Sequence, residues 1–369
     1  MSRLTRATIN LTALKNNLSV TKQFAPVQKI MSVVKADAYG HGIDRIAKYL
    51  SSILSQDDAF AVASIDEAIM LRAVGIQNPI IILEGFNTSG DLALIKEHNL
   101  TSVIHHLSQI ILLEINPELA EDLKVWMKVD TGMHRLGFSP DSVKKMYQRL
   151  LNAGVNIQIG LMTHFANADT IGDSKNEQQL SCFNNLIAGN PAETSLANSA
   201  AILSLPAAHG HWVRPGIMLY GVNPFTKNHR GDVTYGLLPV MTLSACIIAI
   251  NTILKDESIG YGGQWVCPDD MQVGVVSIGY GDGYPRHAPS GTPVLINGKR
   301  AALIGRVSMD MIMVDLRLHP EAKVGDEVIL WGDGLPIEEI ADAAGTISYE
   351  LLCGVTKRVT FEYKEEDIT

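Results

Sequence analysis

The sequence predicts an α/β fold: a (β/α)8 barrel over residues 1–232, followed by a mainly β domain over 233–369. Three observations predict it. Short apolar, often β-branched runs alternate with amphipathic stretches from Leu11 to about Asn223, and eight such runs can be counted. The polar stretch Asn223–Asp232 then interrupts the rhythm. Beyond it, short apolar runs are separated by Gly, Pro and Asp turns, with few helical stretches between them.

Taken in order, the eight barrel strands are expected at Lys29–Val34, Ala59–Ala63, Pro79–Glu84, Thr101–Ile104, Val125–Val129, Ile157–Thr163, Ser195–Ala197 and Trp212–Arg214. Helices are expected between them, at Ile65–Val74, Gly90–Asn99, Ser108–Ile115, Asp141–Asn152 and Lys175–Ala188. Eight strands alternating with helices is the arithmetic of a TIM-type barrel. In the second part, strands are expected at Met241–Ile250, Met271–Ile278, Pro293–Ile296, Ala301–Ile304, Met311–Asp315 and Glu327–Leu330. Only Ile337–Ala344 and Ser348–Cys353 read as helices there.

At 369 residues, 46% of them hydrophobic, the chain can bury a large core. Its net charge of −9, with acids and bases interspersed, lacks the basic footprint of a nucleic-acid partner. Cys182, Cys246, Cys267 and Cys353 show no C-x-x-C spacing and are expected as free thiols in a reducing compartment. Met1–Asn10 has no apolar signal region, and no apolar run approaches a membrane span. A cytoplasmic protein without a membrane partner is expected. No metal site is expected either: His105 and His106 are adjacent, and His209 and His211 lack a third ligand. Gly279-x-Gly281-x-Gly283 is no dinucleotide loop, since Pro285 follows in place of a helix.

The chemistry gathers on one stretch, Val33-Val34-Lys35-Ala36-Asp37-Ala38-Tyr39-Gly40-His41-Gly42. It puts a lysine at the end of a buried strand, closed by a tight loop at Gly40 and Gly42, with a helix expected from Ile43 to Leu50. An unpaired ammonium is costly to desolvate there. Either a carboxylate pairs with it, or it loses its charge and becomes a nucleophilic amine. The Tyr-Gly-His-Gly loop offers a hydroxyl and close backbone to a phosphate. Other unusual polar residues follow the ends of later strands: Lys128, Asp130 and Arg135 after the fifth, His164 after the sixth, Asn198-Ser199 after the seventh, and Arg214-Pro215-Gly216-Ile217 after the eighth. Barrel enzymes gather functional residues at that rim.

The decapeptide resembles the pyridoxal-phosphate lysine motif of the alanine racemase family. The resemblance continues through Lys128–Phe138, Thr163-His164-Phe165, Arg214–Gly221, Gly260-Tyr261-Gly262, Gly279–Arg286 and Gly305–Asp310, in family order from near residue 5 to about 358. One departure is Arg358-Val359-Thr360-Phe361, where family members often carry a proline and an arginine. It touches only the last strand.

The resemblance implies pyridoxal 5'-phosphate as cofactor and interconversion of L- and D-alanine by a two-base mechanism, supplying D-alanine for the bacterial cell wall. Lys35 is implied as the lysine that holds the cofactor covalently and then serves as one base. Its amine, normally near pH ~10.4, must be depressed by burial or a neighbouring cation to work near neutrality. Tyr261 is implied as the second base, reaching the site of the other subunit of a homodimer. Tyr39, Ser199, the backbone of Gly216 and Ile217, and Tyr349 would hold the phosphate. Arg214 would face the pyridine nitrogen, and His164 would link Arg214 to Tyr261. Arg135 would bind the substrate carboxylate. Lys128 would support it, in many family members as a carbamate. Met309 and Tyr280 would line the entrance, with Asp310 behind them. Taken singly, these residues have plainer readings: Ser199 as a helix cap, Tyr349 as a core tyrosine, Arg214 in a salt bridge, Lys128 paired with Asp130. A barrel-type decarboxylase on the same cofactor would be expected to carry an acidic partner where Arg214 stands. A pyridoxal-phosphate homeostasis protein would resemble the barrel alone.

Overall fold

The computed structural model describes residues 4–154, 156–189, 192–231 and 234–365. A short strand, β1 (Arg6–Asn10), leads into helix Leu11–Phe24, whose first turn is capped by the Asn10 side chain accepting from the Ala13 amide at 2.9 Å. Eight strands then close into a parallel barrel in chain order: β2 (Lys29–Val33), β3 (Ala59–Val62), β4 (Ile80–Ile82), β5 (Thr101–Ile104), β6 (Lys124–Lys128), β7 (Gln158–Met162), β8 (Thr194–Ser195) and β9 (Trp212–Val213). The ring closes through Lys29 opposite Trp212 and Ile30 opposite Val213. All eight fall within a residue or two of the runs expected from apolar character. The reason is burial: β3 and β4 are covered on both faces, so every residue must be apolar or small.

The helices between them start where the sequence supplies caps. Ser64 and Glu67 form a capping box before Ile65–Ala73, and Thr88 and Asp91 form another before Ser89–Glu97. Helices Leu107–Ile115, Pro140–Asn152 and Ser174–Ile187 occupy the other expected stretches. Among the described residues no helix is long and apolar enough to cross a membrane.

The rest of the chain is mainly β, in strands β10 (Met241–Ile253), β11 (Ser258–Ile259), β12 (Trp265–Val266), β13 (Met271–Val276), β14 (Pro293–Ile296), β15 (Lys299–Ile304), β16 (Ile312–Asp315), β17 (Glu327–Trp331) and β18 (Thr360–Lys364). The long strand β10 pairs with both β17 and β13, and its register shifts between Ile247 and Ala249. Helices Ile337–Ala344 and Ser348–Gly354 form where the sequence predicts them; the first packs on β17, the second on the first and on the segment Lys35–Gly40. The boundary expected at 232/233 falls on residues outside those described. Within the expected linker, Lys227–Arg230 forms a single helical turn.

One strand departs from the expected division. β1 does not join the barrel; it lies in the second sheet, antiparallel to β10 and parallel to β18. The barrel is closed by β2 to β9 and has no edge left to offer, whereas the second sheet does. Ala7 and Ile9 point into its core.

Candidate active site

Lys35 leaves the C-terminal end of β2, and the backbone that follows is unusual. Ala36, Asp37, Ala38 and Tyr39 all have φ of +52 to +54°, making Lys35–Gly40 a left-handed helical turn. For residues with a Cβ this costs about 1–2 kcal/mol each. The sequence predicts a tight glycine loop; the structure instead builds the turn from four non-glycine residues. Local bonds help to hold it. The Ala38 amide donates to Val34 O at 2.9 Å and the Gly42 amide to Asp37 O at 3.0 Å. Asp37 Oδ1 accepts from the Ile43 amide at 2.7 Å, which starts the next helix. Gly40 must lack a Cβ, because one would overlap the Leu352 carbonyl.

His41 is wholly buried. Its Nδ1 lies 2.8 Å from Tyr39 O and 3.1 Å from Ala38 O, so that nitrogen carries the proton. Burial lowers its pKa to about 4, and the ring is neutral.

A cavity of about 700 Å³ opens at the C-terminal ends of the barrel strands. Lys35, Tyr39, Lys128, Arg135, His164, Ser199, Arg214, Gly216, Ile217 and Tyr349 all line it. The structure thus brings together ten residues that the sequence scatters over more than three hundred positions. Tyr261, Tyr280, Met309 and Asp310 are not among them. Tyr261 is 69% exposed on a short turn between β11 and β12, and Met309 and Tyr280 are exposed as well. Asp310 pairs with Arg358, the residue that opens the departure from the family pattern.

Arg214 is 5% exposed and spends its guanidinium on the barrel. Nη1 donates to Ser195 Oγ at 2.6 Å; Nη2 donates to Thr163 O at 2.6 Å, Leu196 O at 2.9 Å and His164 Nδ1 at 3.2 Å. None of these bonds uses the Nε–H. Burial lowers its pKa to about 10, which leaves it charged at neutral pH. His164 is held well below the usual imidazole range, by burial first and then by Arg214, Lys128, Arg135 and Lys35. It is therefore neutral and accepts at Nδ1 from Arg214.

Lys128 is buried, and its pKa is lowered to about 8 by burial, followed by Arg214, Arg135 and Lys35. It does not pair with Asp130. That carboxylate instead accepts from the Gly132 amide at 3.0 Å and the His134 amide at 2.9 Å, shaping the loop that carries Arg135.

Also in the cavity lining, Ser199 Oγ accepts from the Gly216 amide at 2.9 Å and the Met218 amide at 3.3 Å. Tyr39 stacks on Tyr220 at 4.8 Å, and the Tyr220 hydroxyl donates to Val33 O at 3.0 Å. Burial raises the phenols of Tyr39 and Tyr349, the latter to about 12, so both remain O–H donors. A Cβ on Gly216 would lie 2.7 Å from Tyr39 Oη, so only glycine leaves this corner open.

Sequence reasoning missed Asn87, His105 and Cys353, which also line the cavity. His105 sits just past the end of β5 and could have been found by the strand-end rule applied to the other rim residues. Cys353 enters from the second domain, and nothing in its sequence neighbourhood signals the barrel.

The two neutral histidines, His41 in the core and His164 in the cavity wall, carry a pH signature. Their folded pKa values lie below the unfolded value of ~6.5, so the unfolded chain binds more protons below that pH. Their contribution to stability is complete above pH ~6.5 and is lost as pH falls below it, for His41 down to about 4, at up to ~1.4 kcal/mol per pH unit. Urea unfolding at stepped pH reads this directly. His41→Asn is expected to reduce the slope between pH ~6.5 and ~4.5 by about one proton. Equal slopes in variant and parent would mean that His41 is not held neutral.

Against known proteins, residues 9–224 match the family model described as "Alanine racemase, N-terminal domain", and residues 240–363 match "Alanine racemase, C-terminal domain". The chain belongs to the alanine racemase family. An alanine racemase of Coxiella burnetii is 51% identical over 365 residues, covering 98% of this chain and 99% of the relative. One of Yersinia pestis is 46% identical over 361 residues. The crystal structure of the biosynthetic alanine racemase from Pseudomonas aeruginosa superposes with a TM-score of 0.93 at 43% identity, covering 98% of this chain and all of that one. The alanine racemase from Bartonella henselae, solved with covalently bound pyridoxal phosphate, has a TM-score of 0.89 at 29% identity. These likenesses run through barrel and second domain alike, so family membership covers both the cavity and the domain that carries Tyr261. Like the other members, the chain is an isomerase.

Proposed function

We propose that this chain racemises alanine with pyridoxal 5'-phosphate held covalently on Lys35, and that Lys35 and Tyr261 are its two proton-moving groups. The observation that carries the reading is the cavity itself, where Lys35, Lys128, Arg135 and Arg214 face a cradle of hydroxyls and backbone amides. Four cationic side chains suit a ligand bearing a phosphate, a phenolic oxygen and a substrate carboxylate. The corner kept open by Gly216 suits the phosphate, beside the hydroxyls of Tyr39, Tyr349 and Ser199, the Ile217 amide and the Gly216 amide, which donates to Ser199 Oγ in this structure. Bound there, pyridoxal phosphate supplies an electron-accepting ring that makes the α-proton of the amino acid removable.

The chain's residues divide the remaining work. Arg214 offers an N–H to the ring nitrogen and keeps its own proton, limiting how far charge spreads into the ring. Neutral His164 passes the Arg214 interaction on toward Tyr261. Arg135 binds the substrate carboxylate. Lys128, with an appreciable neutral fraction at pH 7–8, can take up carbon dioxide and release a proton, and the resulting carbamate would orient Arg135. Lys35 moves a proton at one face of the α-carbon, and Tyr261 moves one at the other.

The exposure of Tyr261, Tyr280 and Met309, none of which lines this chain's cavity, supports a homodimer. In it, each second domain would complete the partner's site, with Asp310 behind Met309. The two domains, 1–232 and 233–369, would then divide the labour: the barrel holds the cofactor, and the second domain contributes the second base and the subunit interface. Mirror symmetry makes the equilibrium constant one. Supply of D-alanine for a bacterial cell wall therefore depends on its consumption downstream, in the cytoplasm on this reading.

The test is incubation of the purified protein with L- or D-alanine, followed by chiral chromatography with carbon dioxide measured in parallel. Borohydride reduction and peptide mapping accompany it. The expected result is convergence of both enantiomers to a racemate, no carbon dioxide, and the reduced label on Lys35. Label on Lys128 or another lysine overturns the assignment.

A further inference from the structure

The left-handed turn after Lys35 is held at both ends by side chains from elsewhere in the fold. At its start, Glu67 Oε1 accepts from the Ala36 amide at 2.7 Å. The first N–H of any helical turn has no acceptor within it, so this bond fills a real vacancy. Glu67 has a second duty, but with its other oxygen: Oε2 accepts from the Ala63 amide at 2.8 Å and the Ser64 amide at 3.4 Å, capping helix Ile65–Ala73. One carboxylate thereby ties the lysine turn to the end of the neighbouring strand β3. At the far end, the Tyr363 hydroxyl donates to His41 O at 3.0 Å. Tyr363 lies on β18 in the second sheet, where it pairs with Ile9 of β1. Its ring packs under Arg45, and a Cβ on Gly42 would overlap its hydroxyl.

We infer that Glu67 and Tyr363 are positioning residues for the reaction, clamping the two ends of the strained turn so that Lys35 is fixed at the mouth of the barrel. A left-handed turn of residues with Cβ atoms relaxes unless its surroundings over-determine it. A lysine that both holds a cofactor and moves a proton needs its amine held to a fraction of an ångström. The inference rests on the reading of Lys35 as the cofactor lysine. It also gives the second domain a task within its own chain.

The test uses full-length protein with its cofactor, as the variants Tyr363→Phe and Glu67→Gln. Tyr363→Phe removes one hydrogen bond and keeps the ring. Glu67→Gln keeps the side-chain shape but leaves one acceptor oxygen for the three amides that Glu67 serves, so it gives up either the bond from Ala36 or those from Ala63 and Ser64. Amide exchange by mass spectrometry is expected to quicken about tenfold in the peptide covering 36–42, with the barrel strands unchanged. The cofactor is expected to leave several-fold faster in hydroxylamine, followed by absorbance. The kcat for alanine is expected to fall about three- to tenfold, with KM within about twofold. Unchanged exchange in the turn overturns the clamp. Faster exchange with unchanged kcat and cofactor release overturns its role in positioning. Should one variant fail to accumulate, the other decides, because they act at opposite ends. If borohydride labels a different lysine, the reading of Lys35 fails, while the exchange data still report on the clamp.

Discussion

Chains carrying Lys35→Ala and chains carrying Tyr261→Phe are each expected to lose racemase activity by ~10²–10⁴-fold, and co-expressing the two is expected to restore it to about a quarter of all sites. The argument starts from position. Lys35 lines the barrel cavity, whereas Tyr261 stands 69% exposed on the second domain, outside that cavity. In an isologous dimer, each site would take its lysine from one chain and its tyrosine from the other. A mixed dimer then carries both defects in one site and none in the other. Random pairing makes about half the dimers mixed, which gives the quarter. Differently tagged chains, purified in sequence, establish that pairing occurred. Proven mixed dimers without activity would place both bases in one chain.

Arg214→Glu is expected to cost at least ~10²-fold in racemisation and to release pyruvate from alanine, up to one equivalent per site, with the amino group left on the cofactor. The parent arginine, with a pKa near 10, stays charged and can only share a hydrogen bond with the ring nitrogen. A glutamic acid there could hand over a proton and draw more charge into the ring, which opens the way to transamination. The same change strips the Thr163 and Leu196 carbonyls of their donor, at ~1–3 kcal/mol for each acceptor left unsatisfied. Thermal unfolding therefore accompanies the assay, so that lost protein is not counted as lost chemistry. Unchanged racemisation without pyruvate would mean that Arg214 does not face the ring.

The barrel could be read from the chain because burial on both faces leaves an unmistakable residue choice. Ile80–Ile82 is three isoleucines, and Ala59–Val62 has no polar atom in any side chain. The last two strands are only two residues long in the ladder, too short for periodicity to show. The rim residues followed from the strand ends. The left-handed turn did not, because Ala-Asp-Ala-Tyr gives no local signal for positive φ; beside its local bonds, those that tie its ends to the rest of the fold come from Glu67 and Tyr363, distant in sequence. β1 was missed for a related reason: a five-residue strand with two buried side chains looks like any lead-in to a helix. Tyr261, Tyr280, Met309 and Asp310 were singled out by resemblance alone, and no rule about strand ends could have placed them.

The placement of β1 also bears on how the protein is made. Arg6 pairs with Ser244 on one side and Thr360 on the other, so β1 is made before the barrel but finds both its neighbours only after it. The barrel strands, closed by Trp212 and Val213, can assemble well before that. During synthesis, then, a nearly finished barrel carries this short ribbon unpaired until Met241–Ile253 is made, and half-paired until Thr360–Lys364 follows. An unpaired strand of that kind invites pairing with other chains. Polysome crowding would favour such encounters, and ribosome pausing after the barrel would prolong the exposure. A barrel expressed alone would keep its ribbon permanently unpartnered.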